Sequence, residues 1–158
     1  MSDVSAVEIV PFSIEHKQAF RDLNVEWINK YFKMEESDYK SLDHPQEYIL
    51  DKGGYIAIAL IDGKAVGSCA LIKMAQDGNY EVAKMGVDPS IHGQGIGKQL
   101  GLHVINKAKE LGATRLYIES NRILVPAVSL YKKLGFQEVT GIESPYERCD
   151  IQMEMIFV

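Results

Sequence analysis

Val87-Asp88-Pro89-Ser90-Ile91-His92-Gly93-Gln94-Gly95-Ile96-Gly97-Lys98 sets three alternating glycines between a stretch that reads as a strand and one that reads as a helix. Glycine lets the backbone take φ > 0 and lets a ligand approach with no Cβ in the way. At a helix start, free N–H groups and the positive end of the helix dipole form an anion site, which suits a pyrophosphate. The spacing matches neither a dinucleotide fingerprint nor a nucleoside-triphosphate loop, because the glycines those need are replaced by Lys98 or Leu100 in one case and His92 in the other. A nicotinamide enzyme and a kinase both lose support. An ordinary flexible turn also fits the local pattern, although three glycines cost chain entropy that such a turn need not lose.

Working outward, Ile96, Leu100, Val104, Ala108 and Leu111 form a core-facing stripe, so a helix is predicted from about Gly95 to Leu111, stopped by Gly112. Upstream, strands are predicted at Tyr55 to Ile61, Ala65 to Met74 and Tyr80 to Val87. Asp62-Gly63 and Asp77-Gly78 join them as tight hairpins, which makes an antiparallel meander. Downstream, a β-rich run from Arg115 to Glu119 completes a strand, helix, strand unit, so the strands at Tyr80 and Arg115 should run parallel. A second helix from about Val125 to Leu134 ends at Gly135, and Phe136 to Thr140 and Ile151 to Phe157 close the sheet. At the other end, Ala6 to Val10 reads as a first strand. Ser13 is placed as an N-cap for one or two helices over Ile14 to Phe32, with Phe20, Leu23, Trp27 and Tyr31 at helical spacing. In the looser stretch from Met34 to Asp51, Asp43 is placed as a cap with Pro45 in the first helical position. The fold class expected is mixed α/β (α+β): a mostly antiparallel sheet with a central parallel βαβ crossover and flanking helices.

The 158 residues, 46% of them apolar, are enough for one core, and no repeat or linker divides them, so residues 1–158 are expected to be a single domain. Seventeen Lys and Arg against 22 Asp and Glu give a net charge of −5, which disfavours nucleic acid as a partner. Only Cys69 and Cys149 occur, too few for a disulfide scaffold. The opening Met-Ser-Asp-Val-Ser lacks a basic region before an apolar core, and no run approaches the length that spans a bilayer. No membrane association and a cytoplasmic location are the expectation. His16, His44 and His103 show no metal-ligand spacing with Cys or acids, so no metal is expected.

Leu124-Val125-Pro126-Ala127-Val128-Ser129-Leu130-Tyr131-Lys132-Lys133-Leu134-Gly135-Phe136 is the second distinctive segment. Together with His92 to Gly97, and in that order, it resembles the GNAT superfamily of acetyl-CoA-dependent N-acetyltransferases, best from Gly54 to Phe136. The resemblance implies acetyl-CoA as co-substrate and a primary amine of a small molecule or peptide as acceptor. It implies that the strand end Met85-Gly86-Val87 binds the pantetheine arm like an added strand, and that His92, Gly93, Gln94, Gly95, Ile96, Gly97 and Lys98 cradle the pyrophosphate. It implies Tyr131 as the group that protonates the departing thiolate. Lys133 is a further candidate cofactor contact, against a plain reading in which Lys132 and Lys133 offset the dipole in the helix's last turn. His92 stands where the family usually has Arg or Gln, and Leu124 where many members have Asn; Asn121 or Ser129 is then the candidate to supply that amide's contact.

An alkylammonium is almost wholly charged at neutral pH, so attack on a thioester needs a base or a water path to take its proton, and the thiolate that leaves can accept one from an acid. Tyr131 fits the acid, yet Leu124, Ala127, Val128, Tyr131 and Leu134 share a helical face that equally makes it a core residue. Glu81 is the candidate base, placed by alternation on one strand face with Ala83, Met85 and Val87; a surface glutamate reads the same way. Glu26 is the reserve contact for the acceptor, against a plain solvated position. The run Glu35-Glu36-Ser37-Asp38 hints at a cationic acceptor or is simply a solvated loop. The competing function is a non-catalytic acyl-CoA-binding regulatory module. Acceptor identity does not follow from the sequence, and a homodimer stays open.

Overall fold

The computed structural model describes residues 6–144 and 146–157, so the reading of the first five residues lies outside them. β1 (Glu8–Pro11) pairs antiparallel with β2 (Tyr55–Ile61) and is an edge strand, where Pro11 costs no ladder bond. It starts two residues later than its apolar run suggests. Between these strands lie a short 3-10 turn (Ile14–His16), α1 (Lys17–Tyr31), α2 (Glu36–Asp43) and a π-helical turn (Gln46–Leu50). β2, β3 (Lys64–Lys73) and β4 (Asn79–Val87) then form the meander that the two Asp-Gly dipeptides call for. α3 (Ile96–Glu110) crosses to β5 (Arg115–Ser120), which runs parallel to β4. α4 (Val125–Leu134), β6 (Gln137–Val139) and β7 (Ile151–Ile156) complete a seven-stranded sheet in the order β1-β2-β3-β4-β5-β7-β6.

Three local expectations are corrected. Ser13 precedes the 3-10 turn, but its hydroxyl donates to Glu15 at 3.2 Å and caps no backbone group. Asp43 caps nothing either: it ends α2, and its carboxylate accepts from Arg21 Nε at 2.6 Å. The acidic run 35–38 is not a loop, because Glu35 and Asp38 form a reciprocal capping box that starts α2. The sequence spacing of three carried that signal.

One face of the sheet packs Val66, Cys69, Leu71, Val82 and Ile118 against Leu100, Val104 and Ala108 of α3 and Val128 and Tyr131 of α4. The other packs Ile56, Ile58 and Ala70 against Phe20 and Ile28 of α1, Leu42 of α2 and Ile49. Phe20, Ile28, Leu42 and Leu100 are fully buried, and each such side chain contributes roughly 1.5–3 kcal/mol.

Between these layers β4 is bulged. Ser68 pairs with Gly86 but Ala70 pairs with Ala83, so one extra residue enters β4 at Lys84-Met85, and Lys84 sits at φ +53°. Ser68 Oγ donates to the bulged Lys84 carbonyl at 2.8 Å and accepts from Asn24 Nδ2 at 3.0 Å, and Asn24 Oδ1 accepts from Trp27 Nε1 at 2.9 Å. This buried relay ties α1 to the bulge. The slip also overturns the alternation argument for Glu81. By the β3 pairing, Glu81 and Ala83 share a face with Ala70, toward α1, whereas Met85 and Val87 pack against the α3 layer. Gly86 faces α1, where a Cβ would lie 2.9 Å from the Leu23 carbonyl oxygen; helix and strand approach that closely because the side chain is absent.

Candidate active site

β4 and β5 pair for three positions, ending at Glu81↔Tyr117, and then part. The gap, bounded by the ends of α1 and α3, by α4 and by the stretch before β7, is a cleft of about 640 Å³. A crevice beyond the carboxyl ends of parallel strands is the usual ligand position in such sheets, and a strand past the end of its ladder can present backbone groups to an extended ligand.

At one end of the cleft is the glycine turn. Gly93 and Gly95 take φ of +84° and +78°, and a Cβ built on either meets no atom within 4 Å, so the dihedrals rather than crowding call for glycine. Gly95 is the residue before α3, whose first amides therefore open here. His92 Nε2 lies 2.9 Å from the Val87 carbonyl oxygen and ties the turn back to the end of β4. Met85, Gly86, Val87, His92, Gly93, Gly95, Ile96, Gly97 and Lys98 all line the cleft. Gln94 does not, and is exposed.

In the middle stands Tyr131. It serves both readings at once: only 9% exposed, it packs edge-on against Phe136 in the α3 layer, and it also lines the cleft. Among the described residues its hydroxyl makes no hydrogen bond, and burial, with Cys69 behind it, pushes its pKa well above the usual phenol range. The hydroxyl therefore keeps its proton. Asn121 lines the cleft, but its amide is engaged at both ends, donating to the Arg148 carbonyl at 2.7 Å and accepting from the Ile123 N–H at 2.9 Å. Ser129 and Lys133 are exposed and outside the cleft, as is Glu26, one residue away from the cleft-lining Trp27.

The far end joins Glu81 and Glu119 to the rings of Trp27, Tyr31, Phe32 and Tyr146. Burial first, then repulsion from Glu119, pushes the Glu81 pKa up to about 7, while Lys84 pulls the other way. A carboxylate poised there can accept a proton near neutrality. Cys149 also lines this end, but burial raises its thiol, and Cys69, deep in the core, is pushed up to about 12; neither is a ready thiolate nucleophile.

Behind Glu81 lies a cluster that pattern reading missed. Asp38, fully buried, accepts from Lys84 Nζ at 2.5 Å, from Arg148 Nη1 and Nη2 at 2.6 and 2.7 Å, and from the Glu35 N–H at 2.9 Å. Burial alone would raise its pKa, but hydrogen bonds from Arg148 and the charge of Lys84 bring it down to about 2. Burial lowers the Lys84 pKa against the pull of Asp38.

A family model described as acetyltransferase (GNAT) family matches residues 20–136. N-acetylaspartate synthetase of Xenopus tropicalis is 31% identical over 101 residues, which is 64% of this chain but only 37% of that protein. The crystal structure of an acetyltransferase of the GNAT family from Staphylococcus aureus Mu50 superposes with a TM-score of 0.87 at 20% identity, covering 96% of this chain and 99% of that one. PaiA N-acetyltransferase from Thermoplasma acidophilum, crystallised with coenzyme A, superposes with a TM-score of 0.74 at 19% identity, covering 96% and 99%.

Proposed function

Because the chain belongs to the acetyltransferase (GNAT) family, we propose that it moves an acetyl group from acetyl-CoA directly to a primary amine. The observation that carries this reading is the parting of β4 and β5 beyond Glu81, which opens one continuous cleft from the glycine turn past Tyr131 to Glu81. The complex of the Thermoplasma neighbour with coenzyme A supports the choice of donor, and the residues present fit it: two glycines at positive φ ahead of a 15-residue helix, and a strand end past its ladder. The turn Gly93 to Lys98 would hold the pyrophosphate, and backbone groups of Met85 to Val87 the pantetheine arm.

Bound acetyl-CoA supplies the activated acyl carbon. The chain supplies two proton positions. Glu81 takes the proton of the acceptor's ammonium at its carboxylate, and the Tyr131 hydroxyl, which burial keeps protonated, gives one to the departing sulfur. With neither cysteine activated, the acetyl group passes without an acyl-enzyme. The synthetase's name points to an acidic amino acid as acceptor for that protein.

The test is release of free thiol from acetyl-CoA in the presence of mixed amines. Amine-dependent release is expected. CoA binding with no release from any amine would instead identify the non-catalytic module.

A further inference from the structure

The charged groups at the far end of the cleft divide into those that are matched and those that are not. Lys84 and Arg148 are the cations lining that end, and both are turned onto acids. Lys84 Nζ meets Asp38 at 2.5 Å, and Arg148 meets Asp38 at 2.6 Å and Glu35 at 3.5 Å. The Lys84 and Asp38 side chains are 2% and 0% exposed, so this pairing lies away from solvent screening. Two cations against two carboxylates leave the cluster with no net charge. Rings cover the guanidinium as well: its Cζ lies 4.5 Å from the Tyr146 centroid, 5.8 Å from Trp27 and 6.0 Å from Phe32. The aromatic wall is thus occupied by the protein's own cation.

Glu81 and Glu119 are what remains. Glu119 accepts from Tyr117 Oη at 2.9 Å and from Ser144 Oγ at 2.5 Å, hydroxyls that solvate its charge without cancelling it. Glu81 makes no hydrogen bond among the described residues, and Lys84, the cation whose charge acts on it, turns its Nζ onto Asp38. Tyr146 and Cys149, also at this end, are both held toward their neutral forms by burial. Among the described residues, this end of the cleft therefore offers an acceptor the carboxylate of Glu119 and that of Glu81, which an incoming ammonium draws into its ionised form, and no unmatched positive charge.

Resting on the acetyltransferase reading of this same cleft, we propose that the acceptor is a primary alkylamine bearing no carboxylate, held as its ammonium by Glu81 and Glu119, and that free amino acids are turned away by those two side chains. An amino acid's carboxylate sits two bonds from its nitrogen. It would enter among like charges in a partly desolvated space, with both nearby cations already neutralised.

The experiment titrates the protein first with CoA, then the CoA complex with matched amines, by calorimetry. The pairs are phenethylamine against phenylalanine, isoamylamine against leucine, and aspartate dimethyl ester against aspartate. In each pair the carboxylate-free member is expected to bind at least about tenfold more tightly. In Asp38→Asn, Arg148 keeps only Glu35 at 3.5 Å and Lys84 keeps only the Tyr146 hydroxyl at 3.4 Å, so the preference is expected to shrink or reverse. If that variant does not fold, the wild-type pairs decide alone. Equal or tighter binding of the acids by the wild type would overturn the proposal, and so would a CoA complex that takes up none of the carboxylate-free amines. The first titration keeps the two readings apart. No CoA binding would sink the assignment of the cleft and the acceptor class with it; CoA binding followed by the reverse acceptor order would sink the acceptor class alone.

Discussion

At the His92 to Lys98 end the cleft is made of backbone: contiguous residues, two glycines at positive φ and the first amides of α3, with side chains that are mostly exposed. At the Asp38 end it is made of side chains drawn from α1, β4, β5 and the stretch before β7, centred on a carboxylate 46 positions from Lys84 and 110 from Arg148. The first end depends on dihedral angles and tolerates new surface residues. The second depends on charge balance in a space where water cannot compensate for a missing partner. A substitution should therefore damage the first through ligand affinity and the second through stability, with the chemistry lying between them.

The largest effect is expected at the charge cluster. Asp38→Ala strands two cations in the interior and should cost about 3–5 kcal/mol in denaturant unfolding at pH 7. A loss below about 1 kcal/mol would put the cluster on a par with exposed ion pairs and erase the contrast between the two ends. The pH dependence has a definite sign. Asp38 is held at about 2, below an unfolded carboxylate, so its contribution is present above about pH 4 and disappears as pH falls toward 2. Asp38→Ala should lack that acid-range loss.

Next come the proton positions. Tyr131→Phe keeps the ring against Phe136 and removes only the hydroxyl, so stability should barely change while the single-turnover rate falls on the order of 100-fold. Glu81→Gln should cost a similar factor and also change the pH profile. In the parent, the rate falls as pH drops below about 7, because the Glu81 carboxyl then already holds a proton; the glutamine variant should lose that limb. Rates within about twofold of the parent would leave both residues structural.

At the glycine end, Gly95→Val forces a β-branched residue to φ +78°, a strain of roughly 1–2 kcal/mol. Titration should show CoA affinity lower by about tenfold, with less change in unfolding than at Asp38. An unchanged affinity would detach this turn from the cofactor.

The same contrast explains what was legible in the sequence. Local signals carried the meander, the crossover and the glycine turn, because Asp62-Gly63, Asp77-Gly78, Gly112 and Gly135 act on their own neighbours; the placing of β7 between β5 and β6 had no such signal. The β4 bulge was not legible. Nothing in Glu81-Val82-Ala83-Lys84-Met85 marks the extra residue, which is fixed by Ser68 and Asn24 across the sheet. Face assignments past Lys84 failed for that reason, although Glu81 still reaches the cleft. Asp38 was hidden more thoroughly, because an acidic run reads as solvated until Lys84 and Arg148 are brought onto it. Its capping-box spacing to Glu35 was the one local trace.

The smallest effect should come from Glu26, and it tests where the acceptor end stops. Successive residues on a helix point about 100° apart, so Trp27 can line the cleft while its neighbour faces away. Trp27 is fixed in that direction by its Nε1 bond to Asn24, which the buried relay through Ser68 holds against the bulge. Rotating α1 to bring Glu26 inward would break that relay and pull Phe20 and Ile28 out of the core, losing several kcal/mol of buried apolar surface. Glu26 therefore stays exposed whatever the acceptor is. Glu26→Ala should leave kcat/KM within about twofold, since an exposed charge outside the cleft is screened by water and salt. A loss of tenfold or more in kcat/KM, with stability unchanged, would show that acceptors extend over the outer face of α1 and that the acceptor end is wider than the cleft.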